Sequence, residues 1–249
     1  MTTPRALAEE MERNPLVPKG PGERFAGYGV MGLPFSSGHV LSFSRTPASS
    51  LGPAHTAVWH RTPAGNWTCI TDTDPSRSCP RFFGEGLDDT LVREIELSWE
   101  GPFDLSLRVR DVRFEWGIRL GRDLRTRGVS LLSRVLPGPL RRSRKGMYAL
   151  GRAGGRLLGL GKVNLAGAAP NGQRFRAAPR RLWRVEASAA LLASEDLGSI
   201  GSLEEQASLG DVWIPSSGIF SFGEAWFDDF DPERHSTALF RPATLLGGC

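Results

Sequence analysis

Residues 103–120 read FDLSLRVRDVRFEWGIRL, and their alternation decides the fold class. Phe103, Leu105, Leu107 and Val109 fall on one side of an extended chain, with Asp104, Ser106, Arg108 and Arg110 on the other. After Asp111 the pattern repeats: Val112, Phe114, Trp116, Ile118 and Leu120 share a face opposite Arg113, Glu115, Gly117 and Arg119. Successive side chains of a strand point to opposite faces, so a period of two with one apolar face marks a half-buried strand. Two such runs around a tight junction predict an antiparallel hairpin with one dry and one wet face.

The same reading extends outward. Residues 91–99 continue the meander through the Gly101-Pro102 turn, with Leu91, Ile95, Leu97 and Trp99 in phase and Arg93 the exception. Upstream, 39–45, 55–62 and 67–71 read as strands, the last two joined by Pro63-Ala64-Gly65-Asn66, with Trp59 and His60 on opposite faces. Downstream, 162–166, 173–177, 182–187, 211–214 and 219–227 follow, and Pro170-Asn171-Gly172 is a turn. About ten short strands predict a mainly β chain, an antiparallel barrel or sandwich. Helical character is confined to 129–160, where Leu131, Leu132, Val135 and Leu136 precede Pro137-Gly138-Pro139 and Met147, Leu150, Leu157, Leu158 and Leu160 follow. Gly151, Gly155 and Gly159, four apart, permit close approach to a neighbouring element. Ser202-Leu203-Glu204-Glu205 is a capping-box pattern for a short later helix. Residues 1–24 read as a polar tail and 25–249 as a single β domain with a helical insert near 129–160.

Net charge is +4, but the charges are segregated. Between Leu124 and Val185 there are 15 basic residues and no Asp or Glu, leaving 16 basic against 27 acidic residues elsewhere. An acidic body therefore carries a cationic insert, and nucleic acid is not the expected partner: only Tyr148 and Trp183 interrupt the basic residues in or near the helical part. Leu and Met beside Arg141, Arg142, Arg144, Lys145, Arg152 and Arg156 fit peripheral contact with an anionic membrane surface, or a surface helix that complements the acidic body. The N-terminal 22 residues hold no apolar run suited to a secretory signal, so a cytoplasmic location is expected. Cys69, Cys79 and Cys249, odd in number and without a CxxC, read as free thiols.

Gly27-Tyr28-Gly29-Val30-Met31-Gly32 is a literal GxGxxG, but the preceding strand and following helix of a dinucleotide site are absent, so it reads as a glycine-rich turn or bulge. His39, His55, His60 and His235 form no metal-ligand spacing, and no metal or cofactor is expected. Asp228-Asp229-Phe230-Asp231 reads as a solvated turn. All seven Trp fall on predicted strands. Trp59, Trp67, Trp99, Trp116, Trp183 and Trp213 are candidate lining for an apolar cavity, with plain core packing the competing reading. Within such a cavity His60, Tyr28, Glu115 and Asp211 are the candidate proton donors or acceptors, since a carboxylic acid desolvated by aromatic rings can donate at neutral pH.

The layout from Phe25 onward, the Trp-bearing hairpin Val58-Trp59-His60 to Asn66-Trp67-Thr68, and Pro170-Asn171-Gly172-Gln173-Arg174-Phe175 leading to Leu182-Trp183-Arg184-Val185 resemble lipocalin-like (calycin) barrel proteins of the carotenoid 1,2-hydratase-like and AttH-like type. The resemblance implies a lipocalin-like barrel around a hydrophobic small molecule. It implies cofactor-independent cyclisation, isomerisation or hydration of a polyene, terpenoid or polyketide-like substrate; the alternative, from the cationic span 129–160, is a non-catalytic carrier of a hydrophobic ligand working at a membrane surface.

Overall fold

The computed structural model describes residues 2–121 and 143–236. Helix α1, Pro4–Arg13, precedes eight strands: β1 Glu23–Pro34, β2 Val40–Ser49, β3 His55–Arg61, β4 Trp67–Thr71, β5 Asp89–Val92, β6 Glu96–Trp99, β7 Asp104–Val109 and β8 Phe114–Leu120. A short helix α2, Pro80–Phe83, lies between β4 and β5. Helix α3, Arg144–Leu158, leads into β9 Ala166–Ala168, β10 Arg174–Leu192, β11 Glu195–Asp196, β12 Ser208–Leu209, β13 Val212–Trp213 and β14 Ile219–Phe227. Part of the predicted insert, 129–142, lies outside the described residues.

The main sheet runs β5-β4-β3-β2-β1-β14-β10-β8-β7-β6, with β9 and β11 on β10. Its pairs are antiparallel except β4 with β5, which is parallel, so the expected antiparallel sheet is in fact mixed. Curling is visible in its rings. Strands β2 and β8 stand four apart in the order, about 19 Å on a flat sheet, yet the Phe43 and Trp116 ring centroids are 5.8 Å apart. The ends β5 and β6 are not paired with each other, so the sheet is a curled, open half-barrel.

The 103–120 hairpin forms as read. Leu105, Leu107, Val109, Phe114, Trp116, Ile118 and Leu120 are all buried in the main core, and a 3-10 turn with Arg113 at φ 50° makes the junction. That core also takes Tyr28, Val30, Leu41, Phe43, Val58, Ile70, Phe220 and Phe222, which fill the inside of the curl. The interior is therefore packed with side chains, with Trp116 only 1% exposed.

Several expectations change. The predicted strand 91–99 divides at 93–95 into β5 and β6, which pair with different neighbours. Arg93, out of phase in an apolar row, sits at the break and reaches Asp111 in solvent (3.7 Å). Predicted strands 173–177 and 182–187 are one 19-residue strand, β10, whose register shifts at Pro179, a residue with no N–H for the ladder. Of 162–166, only Ala166 is in a strand. No helix forms at 202–205. The Gln206 side chain instead donates to Lys162 O (2.7 Å) and Ile214 O (2.8 Å) and accepts from Lys162 N (2.8 Å), and the next residues pair as β12.

Within 1–24, residues 4–13 form α1. Thr3 caps it by accepting from Ala6 N (3.2 Å), and Pro4 enters at the first turn where no N–H is needed. Leu7, Ala8 and Met11 fall on one face and pack on the main core. No described helix is long and apolar enough to cross a membrane.

Candidate functional site: an apolar groove under a glycine-rich helix

The inner face is filled, and the open space lies on the other face of β1, β14 and β10. Across these strands Phe25, Ala225 and Ala177 are in register, then Gly27, Gly223 and Pro179, then Gly29, Ser221 and Leu182. The middle row has almost no side-chain bulk. It forms a trench in the sheet, floored further by Ala225, Ala177, Gly29 and Ser221 of the neighbouring rows, with Phe25 and Leu182 at their ends.

Gly27 and Gly29 also serve the curl. A Cβ on Gly27 would stand 2.2 Å from Arg45 O and one on Gly29 2.0 Å from Phe43 O, so only glycine lets the coiled β1 and β2 backbones approach this closely. The register slips between Ala26 and Tyr28 and again between Val30 and Leu33, so the GxGxxG segment is a bulged strand, consistent with the bulge reading of the sequence.

Helix α3 roofs the trench. Ser143 caps it by accepting from Gly146 N (3.2 Å), and Gly159 at φ 67° ends it in the left-handed conformation. Met147, Gly151 and Gly155, four apart, form the buried stripe. A Cβ on Gly151 would lie 2.7 Å from Val163 O and one on Gly155 2.6 Å from Gly161 O, so these two glycines seat the helix on the chain that follows it. Gly159 makes no such approach; a Cβ there meets nothing within 4 Å.

Between floor and roof is a groove of about 410 Å³, walled by Leu150, Leu158, Leu160, Val163, Phe83, Phe175, Val212, Trp213 and Phe227. That volume is within the range of small-molecule sites, roughly 300–1,000 Å³. Apolar atoms dominate the lining. The few polar groups on the border include Ser44, Ser221, Asn164 and Glu224. Met31 and Leu157 border it while 45% and 67% exposed, which marks its mouth.

The residues singled out from sequence are dispersed. Trp213 lines the groove, with Lys162 Nζ 4.2 Å above its ring. Trp59 and Trp67 are buried in a separate cluster with Cys69, Leu209 and Ile214. Trp116 donates to Ser188 Oγ (2.8 Å) in the main core. Trp183 packs edge-on against Phe220 and Phe222, and Trp99 borders a second pocket. Core packing thus accounts for most of the indoles.

The four acid candidates do not converge. Glu115 is exposed and pairs with Arg108 (3.3 Å). Asp211 accepts from Ala168 N (2.8 Å) beside the β9 backbone. His60 stacks on His39, with Nε2 2.7 Å from His39 Nδ1; burial, then the His39 charge, push its pKa down to about 4. Tyr28 borders the groove, but its hydroxyl donates to Glu12 Oε1 (2.9 Å), and Arg45 grips the same carboxylate through Nε and Nη2, each at 2.9 Å. Burial and the Glu12 charge raise the phenol pKa, so it holds its proton. This cluster, with Thr56, Asp72 and Trp99, borders the second pocket at the docking site of α1.

Cys69 and Cys79 are free thiols. Among the described residues no three His, Cys, Asp or Glu gather as a metal site. The groove itself went unread in the sequence. Its signals were the small residues at 27, 29, 177, 221, 223 and 225, but only the cross-strand register shows that they adjoin.

No family model matches this chain, and no curated protein matches it. In structure it is similar to a crystal structure of acetoacetate decarboxylase from Legionella pneumophila, with 12% identity and a TM-score of 0.36 over 86% of this chain and 89% of that one. A likeness at that level carries no argument about function.

Proposed function

We propose that the protein binds a hydrophobic small molecule in the groove between the β1-β14-β10 face and α3. The observation that carries this is the trench itself: side-chain bulk is withdrawn at Gly27, Gly223 and Ala225 directly beneath a helix, and the space left is walled by Leu, Val and Phe. Apolar surface left open in this way is stabilised by an apolar occupant, at roughly 25 cal/mol per Å² removed from water. A flexible polyene, terpenoid or polyketide-like chain suits an apolar groove of this volume and lining, and is the class that the lipocalin-like resemblance implies. The reading is binding and carriage rather than acid catalysis, because His60, Glu115 and Asp211 are not among the groove's lining residues, the Asp211 carboxylate is taken up by Ala168 N, and the Tyr28 proton is committed to Glu12.

The test uses Gly154, which borders the groove and where an added Cβ meets nothing within 4 Å. Gly154→Leu projects a side chain into the slot while improving helix propensity. The neutral fluorophore N-phenyl-1-naphthylamine is expected to bind the wild type and to bind Gly154→Leu at least tenfold more weakly, with cooperative unfolding retained. Equal affinity for the two would overturn the proposal. Native mass spectrometry of protein from its own host then identifies the natural occupant.

A further inference from the structure

We infer that the solvent face of α3 docks on an anionic lipid bilayer and presents the mouth of the groove to it. The inference rests on the groove reading for what is loaded, while the docking stands on the helix itself. Lys145, Arg152 and Arg156 are spaced i, i+7 and i+11, which places all three on one stripe of the helix, away from the buried Met147, Gly151 and Gly155 stripe. Between Arg144 and Leu158 there is no acidic residue. Arg144 pairs with Asp228. Lys145, Arg152 and Arg156 have no carboxylate within 4.0 Å among the described residues.

Apolar groups flank this stripe. Tyr148 is 47% exposed on one side and Leu157 67% on the other, and Met31 faces solvent from β1 across the groove mouth. They are three of the seven large hydrophobics left exposed among the described residues. A helix with one cationic stripe and an anchored back is complementary to a headgroup layer: the cations meet lipid phosphates or serine carboxylates, and Leu157, about a quarter turn from Arg156, sits at the lip beside that contact. Leu157 belongs to both the lip and the groove, so the contact that seats the protein also opens a dry path from bilayer to slot.

The experiment is co-sedimentation with phosphatidylcholine vesicles, with and without phosphatidylserine, at low and high salt, with naphthylamine binding measured on the same preparations. The expected result is association with the serine-containing vesicles only, weakened by salt. The variant Lys145→Gln/Arg152→Gln/Arg156→Gln should lose roughly a hundredfold in partitioning, since each cation near an anionic surface contributes about fivefold. Its naphthylamine affinity should be unchanged, because none of the three lines the groove. Wild-type protein that binds the fluorophore but no vesicle overturns the docking and leaves the ligand site standing. Vesicle binding that survives the triple variant overturns it as well. Salt-sensitive retention by a single-stranded oligonucleotide without vesicle binding overturns it in favour of nucleic acid. Loss of both vesicle and fluorophore binding by the wild type overturns both readings.

Discussion

Gly151→Ala and Gly154→Ala are the same chemical change, one turn apart on one helix, and the structure predicts that only the second stabilises. Replacing a mid-helix glycine by alanine stabilises the folded state by about 1 kcal/mol when nothing opposes it. At Gly154 nothing does, because the new methyl meets no atom within 4 Å. At Gly151 the methyl would stand 2.7 Å from Val163 O and 2.9 Å from Leu165 N, both backbone, with Leu165 Cγ at 3.1 Å. Backbone cannot swing aside as a side-chain end does, so α3 must lift from 163–165, at an overpacking cost of roughly 1–3 kcal/mol. Gly154→Ala is therefore expected to gain about 1 kcal/mol. Gly151→Ala is expected to range from neutral to a loss of about 2 kcal/mol. The assay is urea unfolding followed by tryptophan fluorescence and far-ultraviolet circular dichroism, compared at unchanged m so that the midpoint reports stability alone. If Gly151→Ala stabilises as much as Gly154→Ala, α3 does not seat on 163–165 through its glycines, and the roof of the groove has been misplaced.

Other expectations follow from the same geometry. Trp116→Ala should destabilise by about 3–5 kcal/mol in urea unfolding, because it leaves a large cavity inside the curl and removes the donor to Ser188 Oγ; Trp213→Ala should cost far less stability yet weaken naphthylamine binding, since its ring lines the slot. Burial and the nearby His39 hold His60 at about 4 instead of 6.5, so the unfolded chain takes a proton that the folded chain refuses. Its contribution is full above pH 6.5 and is lost as pH falls towards 4, and NMR titration of the ring should show the low value. Burial raises the Glu12 carboxyl, but Arg45 outweighs it and holds the pKa below the ordinary value. That contribution is present above the ordinary carboxylate range and disappears as pH drops through the lowered value; Glu12→Gln should remove this part of the acid dependence of Tm.

How much of this was legible in the sequence follows from which interactions are local. The 103–120 hairpin was, because strand alternation needs only neighbours along the chain, and its apolar positions proved to be core positions. The Pro170-Asn171-Gly172 turn and the seating role of Gly151 and Gly155 were also readable, from backbone conformation and helical spacing. Helix α1 was missed because its apolar face, Leu7, Ala8 and Met11, is short and its stability comes from docking on the core and from the Glu12–Arg45 pair. The capping-box pattern at 202–205 failed for the converse reason: Gln206 finds better partners in Lys162 and Ile214, both distant in sequence.

By itself the sequence determined a β body of alternating strands, a cationic span between acidic parts with helical spacing at Met147, Gly151 and Gly155, and the absence of a dinucleotide-type turn at Gly27–Gly32. All of these depend on periodicity, composition or nearest-neighbour geometry. Only the tertiary structure decided which face holds the site. The inside of the curl, which takes Trp116, fills with its own side chains, while glycines and alanines far apart in the sequence come into register on the other face. The physical reason is that a cavity is made by missing bulk at adjacent positions, and adjacency across strands is set by curl and register, which no single stretch of sequence carries.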